Sequence, residues 1–378
     1  MDDLKLILGS RIRSARERLN LSQRELAEAI GVDSHQIVSQ MEKGERDIKA
    51  WELAKLAGIL KIEISSLLES SEPLKEPIVL WRDKPKKEKE IKEAQFLKKC
   101  RDYHNLELAA SDSPRSSLPN KKIDPETMDF QTVKQLAEEV SKQLNLGQKP
   151  SASIEKVLED QYGVKIWYID LGEDGSAAST VGPFGPAIMM NSFEPPWRRN
   201  YNFAHELFHL LTWESLPPEF LIEDATRFDR FEKYANAFAS ALLLPADPIT
   251  NEFDARVKDN SISYSNLVEI ARIFDVSTEA LLFRLLNLRR FSKIEVEKTL
   301  KDENFREIDR SSMRGHWRDP SPMPERYVRL AFMAHRKGNV TRARLAEYLG
   351  TNLFDLGDTL KEYGFSENDN YEAQMRTA

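Results

Sequence analysis

The sequence predicts a multidomain, mainly α-helical protein, with an all-α N-terminal domain, an α+β central domain that contains a small sheet, and a helical C-terminal region. Its 378 residues exceed the size of one ordinary hydrophobic core, which indicates several domains. From Leu4 to about Ser70, apolar residues recur every three or four positions between breaks at Asn20, Gly31 and Gly44, as in short amphipathic helices. β-Branched and aromatic residues are concentrated in short runs near the middle of the chain, where they indicate strands.

Composition and charge limit the classes of function. Apolar residues make up 40% of the chain and charged residues 31%, a balance typical of soluble globular proteins and not of disordered or membrane proteins. The net charge of -7 argues against a protein that coats nucleic acid with its whole surface, because phosphate binding needs clustered Lys and Arg. Any contact with DNA must therefore be local.

Cysteine content and the first residues indicate where the protein works. Cys100 is the single cysteine, which excludes an intramolecular disulfide and a Cys-rich zinc site and favours a reducing compartment. Residues 1–5 lack the basic start and apolar run of a signal peptide, and no apolar run approaches membrane-spanning length. We therefore expect a cytoplasmic protein with no membrane partner, whose metal ligands, if any, are His and carboxylates.

Polar segments divide the chain. Residues 70–73 and 82–90 combine Ser, Pro and a run of charges, and residues 110–119 are rich in Ser and Pro, which is typical of boundaries and linkers. A helix over 90–106 lies between them and has no evident partner. These features predict a helical domain at 1–70, a helical linker region at 71–128, the α+β domain at 129–290 and the helical C-terminal region at 291–378.

The motif that carries chemistry is an HExxH sequence at residues 205–209, on a predicted helix with apolar flanks. Side chains four residues apart project from one face of a helix, so His205 and His209 can bind the same zinc ion. Glu206 then lies beside the metal without ligating it, where it can take a proton from water. We expect Glu206 to be the catalytic residue.

Zinc needs a further protein ligand, and a second predicted helix supplies an acid. Glu232 is the expected third ligand, and Asn236, one turn later, can fix the tautomer of a ligand histidine. Mn²⁺ is the alternative to Zn²⁺. Two other interpretations stay open: a buried helix whose histidines only make hydrogen bonds, and a structural metal site, which usually has four protein ligands.

These residues resemble the ImmA/IrrE family of metallopeptidases, in which HExxH is followed by the pattern E-x-x-A-N-x-F-A and a Leu-rich end before Pro. The second pattern stands complete at 232–239, followed by Leu-Leu-Leu-Pro at 242–245, and the resemblance covers roughly 130–290. It implies a zincin-like peptidase domain that cleaves a repressor protein and so turns genes on. Phe208 departs from the family, which generally has Gly there, and its ring can narrow the cleft or pack beneath it.

Family analogy and strand propensity also bear on substrate binding. The strand Ala187–Asn191 is the expected edge on which an extended substrate segment pairs by β-addition. In the expected peptide hydrolysis, Glu206 accepts a proton from the attacking water and later passes it to the leaving amine. Tyr234 and Arg198 are the candidates for stabilising the oxyanion.

The N-terminal helices have the layout of a helix-turn-helix. Ser22 and Glu25 form a capping box that opens a helix ending at Gly31, and a second helix follows at about 34–43. In a helix-turn-helix this second element enters the major groove of DNA. The segment resembles the XRE, or Cro/cI-like, family over about residues 5–69, which implies double-stranded DNA as a partner.

Eight side chains are candidates for DNA contacts. Some can reach base edges, and others are better placed for phosphates, which position a protein without specifying sequence. The first group is His35, Gln36, Ser39 and Gln40, and the second is Gln23, Arg24, Lys43 and Arg46. A helical domain that binds protein instead of DNA is the alternative, because a fold alone does not determine a function.

Together these features favour a DNA-binding regulatory zinc metalloendopeptidase that cleaves a partner repressor or regulator protein to control transcription. The alternative is a non-proteolytic transcriptional regulator or antitoxin whose metal domain is a sensor or scaffold, and Phe208 favours it. In the C-terminal region, Thr341 caps a helix after a Gly-containing turn, which predicts a small helical unit for interaction or dimerisation. A homodimer is therefore among the expected states.

Overall fold

The computed structural model of the protein describes residues 2–62, 64–68, 77–114, 116–173, 175–313 and 319–366. Within them the chain is mainly helical with a small mixed sheet, as the sequence predicts. The helices are α1 (Asp2–Arg18), α2 (Gln23–Ile30), α3 (His35–Glu42), α4 (Ala50–Leu60), α5 (Ile64–Leu68), α6 (Lys89–Ala110), α7 (Phe130–Gln143), α8 (Ile154–Asp160), α9 (Pro196–Thr212), α10 (Pro218–Ile222), α11 (Ala225–Leu243), α12 (Ala246–Asp254), α13 (Tyr264–Ile273), α14 (Thr278–Asn287), α15 (Lys293–Lys301), α16 (Glu303–Met313), α17 (Glu325–Arg336), α18 (Arg342–Tyr348) and α19 (Leu356–Glu362). The strands are β1 (Leu80–Trp81), β2 (Lys165–Ile169), β3 (Ala177–Gly182) and β4 (Gly185–Asn191). No helix in the described ranges is both long and apolar enough to cross a membrane.

Helices α1 to α5 form a small domain with a core of its own. Ser22 accepts from the backbone N–H of Glu25, whose carboxylate accepts from the backbone N–H of Ser22, so the predicted capping box is present. Gly31 ends α2 with φ at 75°, a conformation that glycine adopts without strain. The core residues are Ile12, Ala15, Leu26, Ala27, Ile30, Val38, Met41, Leu56, Ala57, Leu60, Ile62 and Leu67.

A buried ion pair holds α1 against α3. Arg16 donates through Nε and Nη2 to the two carboxylate oxygens of Glu42, at 2.5 and 3.1 Å. A Cβ at Gly9 would lie 2.5 Å from the backbone oxygen of Met41, so only glycine lets the two helices approach this closely. The ion pair and the close approach at Gly9 therefore set the orientation of α3, and both lie on the buried side of this helix.

The sheet has the strand order β1-β3-β4-β2. β2 runs parallel to β4, whereas β3 pairs antiparallel with both β4 and β1. β4 therefore lies inside the sheet, and the prediction that Ala187–Asn191 forms its edge is wrong. Strand propensity predicts that a segment is a strand but not which strands lie beside it. The strand β1, which extends the sheet beyond β3, comes from the segment that the composition assigned to the linker.

Apolar cores lie on both faces of the sheet, because side chains along a strand alternate between its faces. Ile188 and Met190 belong to the core that contains α7, α9 and α11. Trp167 and Met189 belong to a second core, built by α6 and the C-terminal helices α17 to α19. The helix that the sequence left without a partner thus packs against α17, and the second core joins the segment after the N-terminal domain to the C-terminal region.

A buried charge network ties this second core together. The carboxylate of Glu107 on α6 accepts from Arg326 Nη1 at 2.6 Å and lies 2.9 Å from Lys165 Nζ on β2. Glu107 is 6% exposed, and the two cations are each 2% exposed. Burial lowers the pKa of Lys165, and the charge of Glu107 opposes that shift. One buried carboxylate therefore faces two buried cations from separate parts of the chain, and Arg326 has a further partner in Asp112 at 3.5 Å.

Replacing Glu107 by Gln leaves Lys165 and Arg326 buried without this counter-charge. Removing one partner of a buried ion pair costs about 3–5 kcal/mol, so we expect E107Q to lower the free energy of unfolding by about 3 kcal/mol, measured by denaturant unfolding of the full chain with tryptophan fluorescence. The control is E297Q, which removes an exposed pair with Lys293 at 3.8 Å and costs below about 0.5 kcal/mol. Equal effects of the two substitutions would contradict a structural role for the network.

Candidate metal centre

α9 presents its two histidines on a buried face. The helix begins at Pro196, a favoured first residue because the first turn needs no N–H donor there. Residues 202–212 are all buried, with His205 0% and His209 3% exposed. Because they are four residues apart, the two rings lie on the same side, and their Nε2 atoms are 3.2 Å apart.

α11 brings an acid to the same point. Glu232 Oε2 lies 3.2 Å from His205 Nε2, and Glu232 Oε1 lies 3.2 Å from His209 Nε2. The ligand atoms of the three residues all lie within 4.8 Å of one another. The structure therefore brings together the three residues that the sequence predicts to hold a metal.

Aromatic packing between α9 and α11 holds this arrangement. Phe208 is fully buried, and its ring centroid lies 5.6 Å from that of Phe238 on α11 and 5.6 Å from that of His209. Ala235 and Ala239 are also fully buried on α11 and leave room for close approach. The ring at position 208 therefore fills the apolar core beneath the histidines.

Asn236 lies against the first histidine, as the sequence predicts. Its side-chain Oδ1 is 3.1 Å from His205 Nδ1. An amide oxygen only accepts, so His205 donates from Nδ1, and its Nε2 keeps a lone pair directed towards Glu232. This tautomer is the one that can bind a metal through Nε2.

Glu206 is fully buried beside the cluster. Among the described residues, neither oxygen of its carboxyl group has a hydrogen-bond partner. Burial raises the pKa of Glu206 to about 7, against the opposing effect of His209. A carboxyl group that titrates near neutral pH can accept and return a proton, which suits a general base.

The clustered groups have shifted pKa values. Burial lowers the pKa of His205 to about 4, so this ring is neutral at pH 7. Burial alone would raise the pKa of Glu232, but contacts with His205 and His209 outweigh it and lower the pKa. For His209, burial lowers the pKa but the contact with Glu232 outweighs it, so the net shift is upward.

The residues fit a divalent metal. Two imidazole nitrogens and a carboxylate converge on one point, and the donor set is that of zinc sites with three protein ligands and an open position. Within the described residues, both oxygens of Glu206 are buried without partners, as expected beside a centre that takes up a metal and water. Nitrogen and oxygen donors also bind manganese, which is therefore the alternative metal for this donor set.

Arg82, which the sequence places in a charged linker, also belongs to this site. Its guanidinium donates to the side-chain oxygen of Asn202 and, at 3.3 Å, to that of Asn236. Its Cζ lies 5.3 Å from the centroid of the Tyr201 ring. Sequence reasoning missed this residue because an arginine at the start of a charged run is typical of a solvated segment.

The two candidates for stabilising an oxyanion have other partners. The Tyr234 hydroxyl donates to the backbone oxygen of Met128 at 2.7 Å. Arg198 pairs with Glu194 at 2.8 Å, and its side chain is 58% exposed. These contacts occupy both groups, so the structure does not support a role for either of them at the cluster.

The structure places most of the candidate DNA contacts on an exposed face of the N-terminal domain. These residues lie on α3, at its C-terminal end, or on α2. The exposed ones are Arg24, His35, Gln36, Gln40 and Lys43, and Ser39 is half-buried beside them.

Two of the candidates are engaged within the domain. Gln23 donates to Glu42 at 2.8 Å and so joins the buried ion pair beneath α3. Arg46 lies 2.7 Å from Glu52, which is 1% exposed. Any phosphate contact from these two side chains would compete with a contact to a buried carboxylate.

Two segments match models of known protein families. Residues 159–286 match the IrrE N-terminal-like domain of peptidase family M78, and residues 12–67 match a helix-turn-helix family. The matches confirm the resemblance to ImmA/IrrE proteins that carry an XRE-like helix-turn-helix domain, and they confirm the predicted fold class. They support a DNA-binding regulator with a peptidase-like domain.

No curated protein matches the chain. Among solved structures, a Mycobacterium tuberculosis transcriptional regulator is 18% identical over 41% of this chain, with a TM-score of 0.32, and the match spans 46% of that protein's length. Bacillus thuringiensis PlcR, solved with the peptide PapR7 and DNA, is 15% identical over 89% of this chain and 99% of its own, with a TM-score of 0.17. Likeness at these TM-scores says nothing about the architecture or function of this chain.

Replacing Glu232 by Gln removes the one anionic donor of the cluster. We expect the wild-type protein to bind about one zinc per chain and E232Q to bind far less at the same free zinc, measured by elemental analysis after dialysis against a zinc buffer. The control is D229N, which changes an exposed carboxylate one turn earlier on α11. Equal zinc contents in E232Q and the wild-type protein would exclude Glu232 as a ligand.

Proposed function

We propose that this chain is a DNA-binding zinc metallopeptidase that cleaves a partner protein, most simply a repressor, and so controls transcription. The observation that carries the proposal is the convergence of His205, His209 and Glu232, with the buried carboxyl group of Glu206 beside them. A structural metal site needs four protein ligands as a rule, and the described residues supply three.

Each residue at the cluster would have a separate role in peptide hydrolysis. When bound, zinc supplies Lewis acidity that activates water and polarises the peptide carbonyl. Glu206 accepts a proton from the water and returns it to the leaving amine, because burial gives its carboxyl group a pKa near 7. Asn236 keeps the proton of His205 on Nδ1, which leaves Nε2 free as a donor.

The N-terminal domain would bring this activity to an operator or to a repressor bound there. The exposure of polar residues on α3 supports a role for this helix as the recognition helix. A homodimer through the C-terminal helices stays part of the proposal, although α17 to α19 pack on α6 and the sheet within the second core.

A second function is favoured by β1. This strand pairs with β3 through Leu80 and Trp81, so the chain's own residues occupy an edge of β3 where a substrate strand could otherwise pair. A protein whose metal domain is a sensor or scaffold, as in a non-proteolytic regulator or antitoxin, would need no open edge. Cleavage assays separate the two functions.

Replacing Glu206 by Gln keeps the size of the side chain and removes the base. We expect E206Q to retain about one zinc per chain and to cleave at least about 100-fold more slowly than the wild type, assayed by electrophoresis with repressors encoded by neighbouring genes. D229N should cleave like the wild type. Cleavage by E206Q at the wild-type rate would refute the mechanism, whereas a zinc-loaded wild type that cleaves none of these repressors would favour the sensor or scaffold.

Replacing Gln40 by Ala tests DNA recognition. Loss of a base contact costs about 1–3 kcal/mol, so we expect affinity for DNA upstream of the gene to fall about 5- to 150-fold in gel-shift titrations. K43Q should weaken binding to all DNA sequences alike, and it should reduce the slope of the logarithm of affinity against the logarithm of salt concentration by about one. The control is Q131A, at an exposed residue of α7. Absence of any shift by the wild-type protein at low salt would favour protein binding by this domain.

A further inference from the structure

We propose that Arg82 is a positioning residue for the metal centre, acting on His205 through the side-chain amide of Asn236. The inference rests on the proposed metal centre and adds to it a residue from outside the matched peptidase segment. The contacts form a chain: Arg82 Nη2 lies 3.3 Å from Asn236 Oδ1, which in turn lies 3.1 Å from His205 Nδ1.

The strand pairing of β1 holds Arg82 in place. Its backbone N–H donates to the oxygen of Ala177 at 3.1 Å, and the backbone oxygen of Asp83 accepts from Ser176 at 3.3 Å. Side chains alternate along a strand, so Trp81 enters the second core while Arg82 turns to the other face, towards α9 and α11. Trp81 is 2% exposed, and its burial therefore anchors the backbone that carries Arg82.

Hydrogen-bond chemistry explains what Arg82 does to Asn236. A guanidinium group only donates, so the amide atom that it contacts must be the oxygen. That orientation presents the same oxygen to His205, which must then donate from Nδ1 and keep Nε2 unprotonated. With the amide reversed, its NH2 group would face both donors, so Arg82 favours the single orientation that suits a metal ligand. A second bond from Arg82, to Asn202 on α9, fixes the guanidinium itself.

The charge of Arg82 acts in the opposite direction. A positive group near a divalent cation disfavours binding of that cation, so a purely electrostatic role predicts tighter metal binding when the charge is removed. A positioning role predicts weaker binding, because groups that orient a ligand typically change metal affinity by 10- to 100-fold. The sign of the effect therefore separates the two roles.

The experiment measures zinc affinity of the full chain by competition with a chromophoric chelator. We expect R82Q to bind zinc about 10-fold more weakly than the wild type. R82K keeps the charge but not the planar fork, so it should also bind more weakly. N236A should weaken binding, and R82Q combined with N236A should be no weaker than N236A alone, since Arg82 acts through that amide.

Several outcomes would overturn the proposal. Unchanged or tighter zinc binding by R82Q, wild-type affinity of R82K, or additive effects of R82Q and N236A would each exclude positioning through the amide. The control R256Q, which removes a surface pair with Glu252 at 2.5 Å, should leave zinc affinity unchanged. A wild-type protein that binds no zinc would overturn the metal centre itself, and the role of Arg82 with it.

A second measurement is independent of bound metal and of overall stability. The tautomer of His205 can be read from nitrogen chemical shifts of the imidazole in the metal-free protein, where we expect the proton on Nδ1. In R82Q we expect a mixture of tautomers, whereas R256Q should keep the wild-type pattern. An unchanged His205 tautomer in R82Q would contradict the proposal even if the variant were less stable.

Discussion

The packing of α9 against α11 is the constraint on which the site depends. Both histidines lie on α9, so the position of α11 decides whether the carboxylate of Glu232 reaches their Nε2 atoms. Phe208 and Phe238 set the spacing, while alanines on α11 allow close contact. Because interiors are packed as densely as organic crystals, a change of one methylene group at this contact would move the acid relative to the imidazoles. The apolar core thus determines the geometry of the polar cluster.

Burial of the polar groups gives the site its chemical properties and also lowers the stability of the fold. Glu206, Ser179 and His209 Nδ1 are buried without partners among the described residues, and each such group costs roughly 1–3 kcal/mol. A core selected for stability alone would replace them with apolar residues. Burial also moves the pKa of Glu206 close to neutral pH, so desolvation supplies the property that a general base needs. The two cores on either face of the sheet supply the stability that offsets this cost.

Local patterns predicted the features that depend on nearby residues. The facing histidines of α9, Asn236 one turn after Glu232, and the cap at Ser22 follow from helical spacing and could be found from the sequence. Features that depend on distant residues could not. The interior position of β4, the pairing of α6 with α17 and the location of Arg82 all arise from contacts between segments far apart in the chain, for which one sequence carries no signal. For the same reason the sequence did not show that two of the candidate DNA contacts, Gln23 and Arg46, have partners within the N-terminal domain.

The second core has a consequence for the order of folding. Its halves, residues 89–110 and 325–362, flank the whole peptidase-like segment, so the contact order of this core is high. During synthesis the sheet, α9 and α11 leave the ribosome before α17 to α19 do, so one face of the sheet then lacks the part of its cover that these three helices supply. Until α17 is made, the face that carries Trp167 and Met189 is covered only in part, and Glu107 has Lys165 but not Arg326 as its partner.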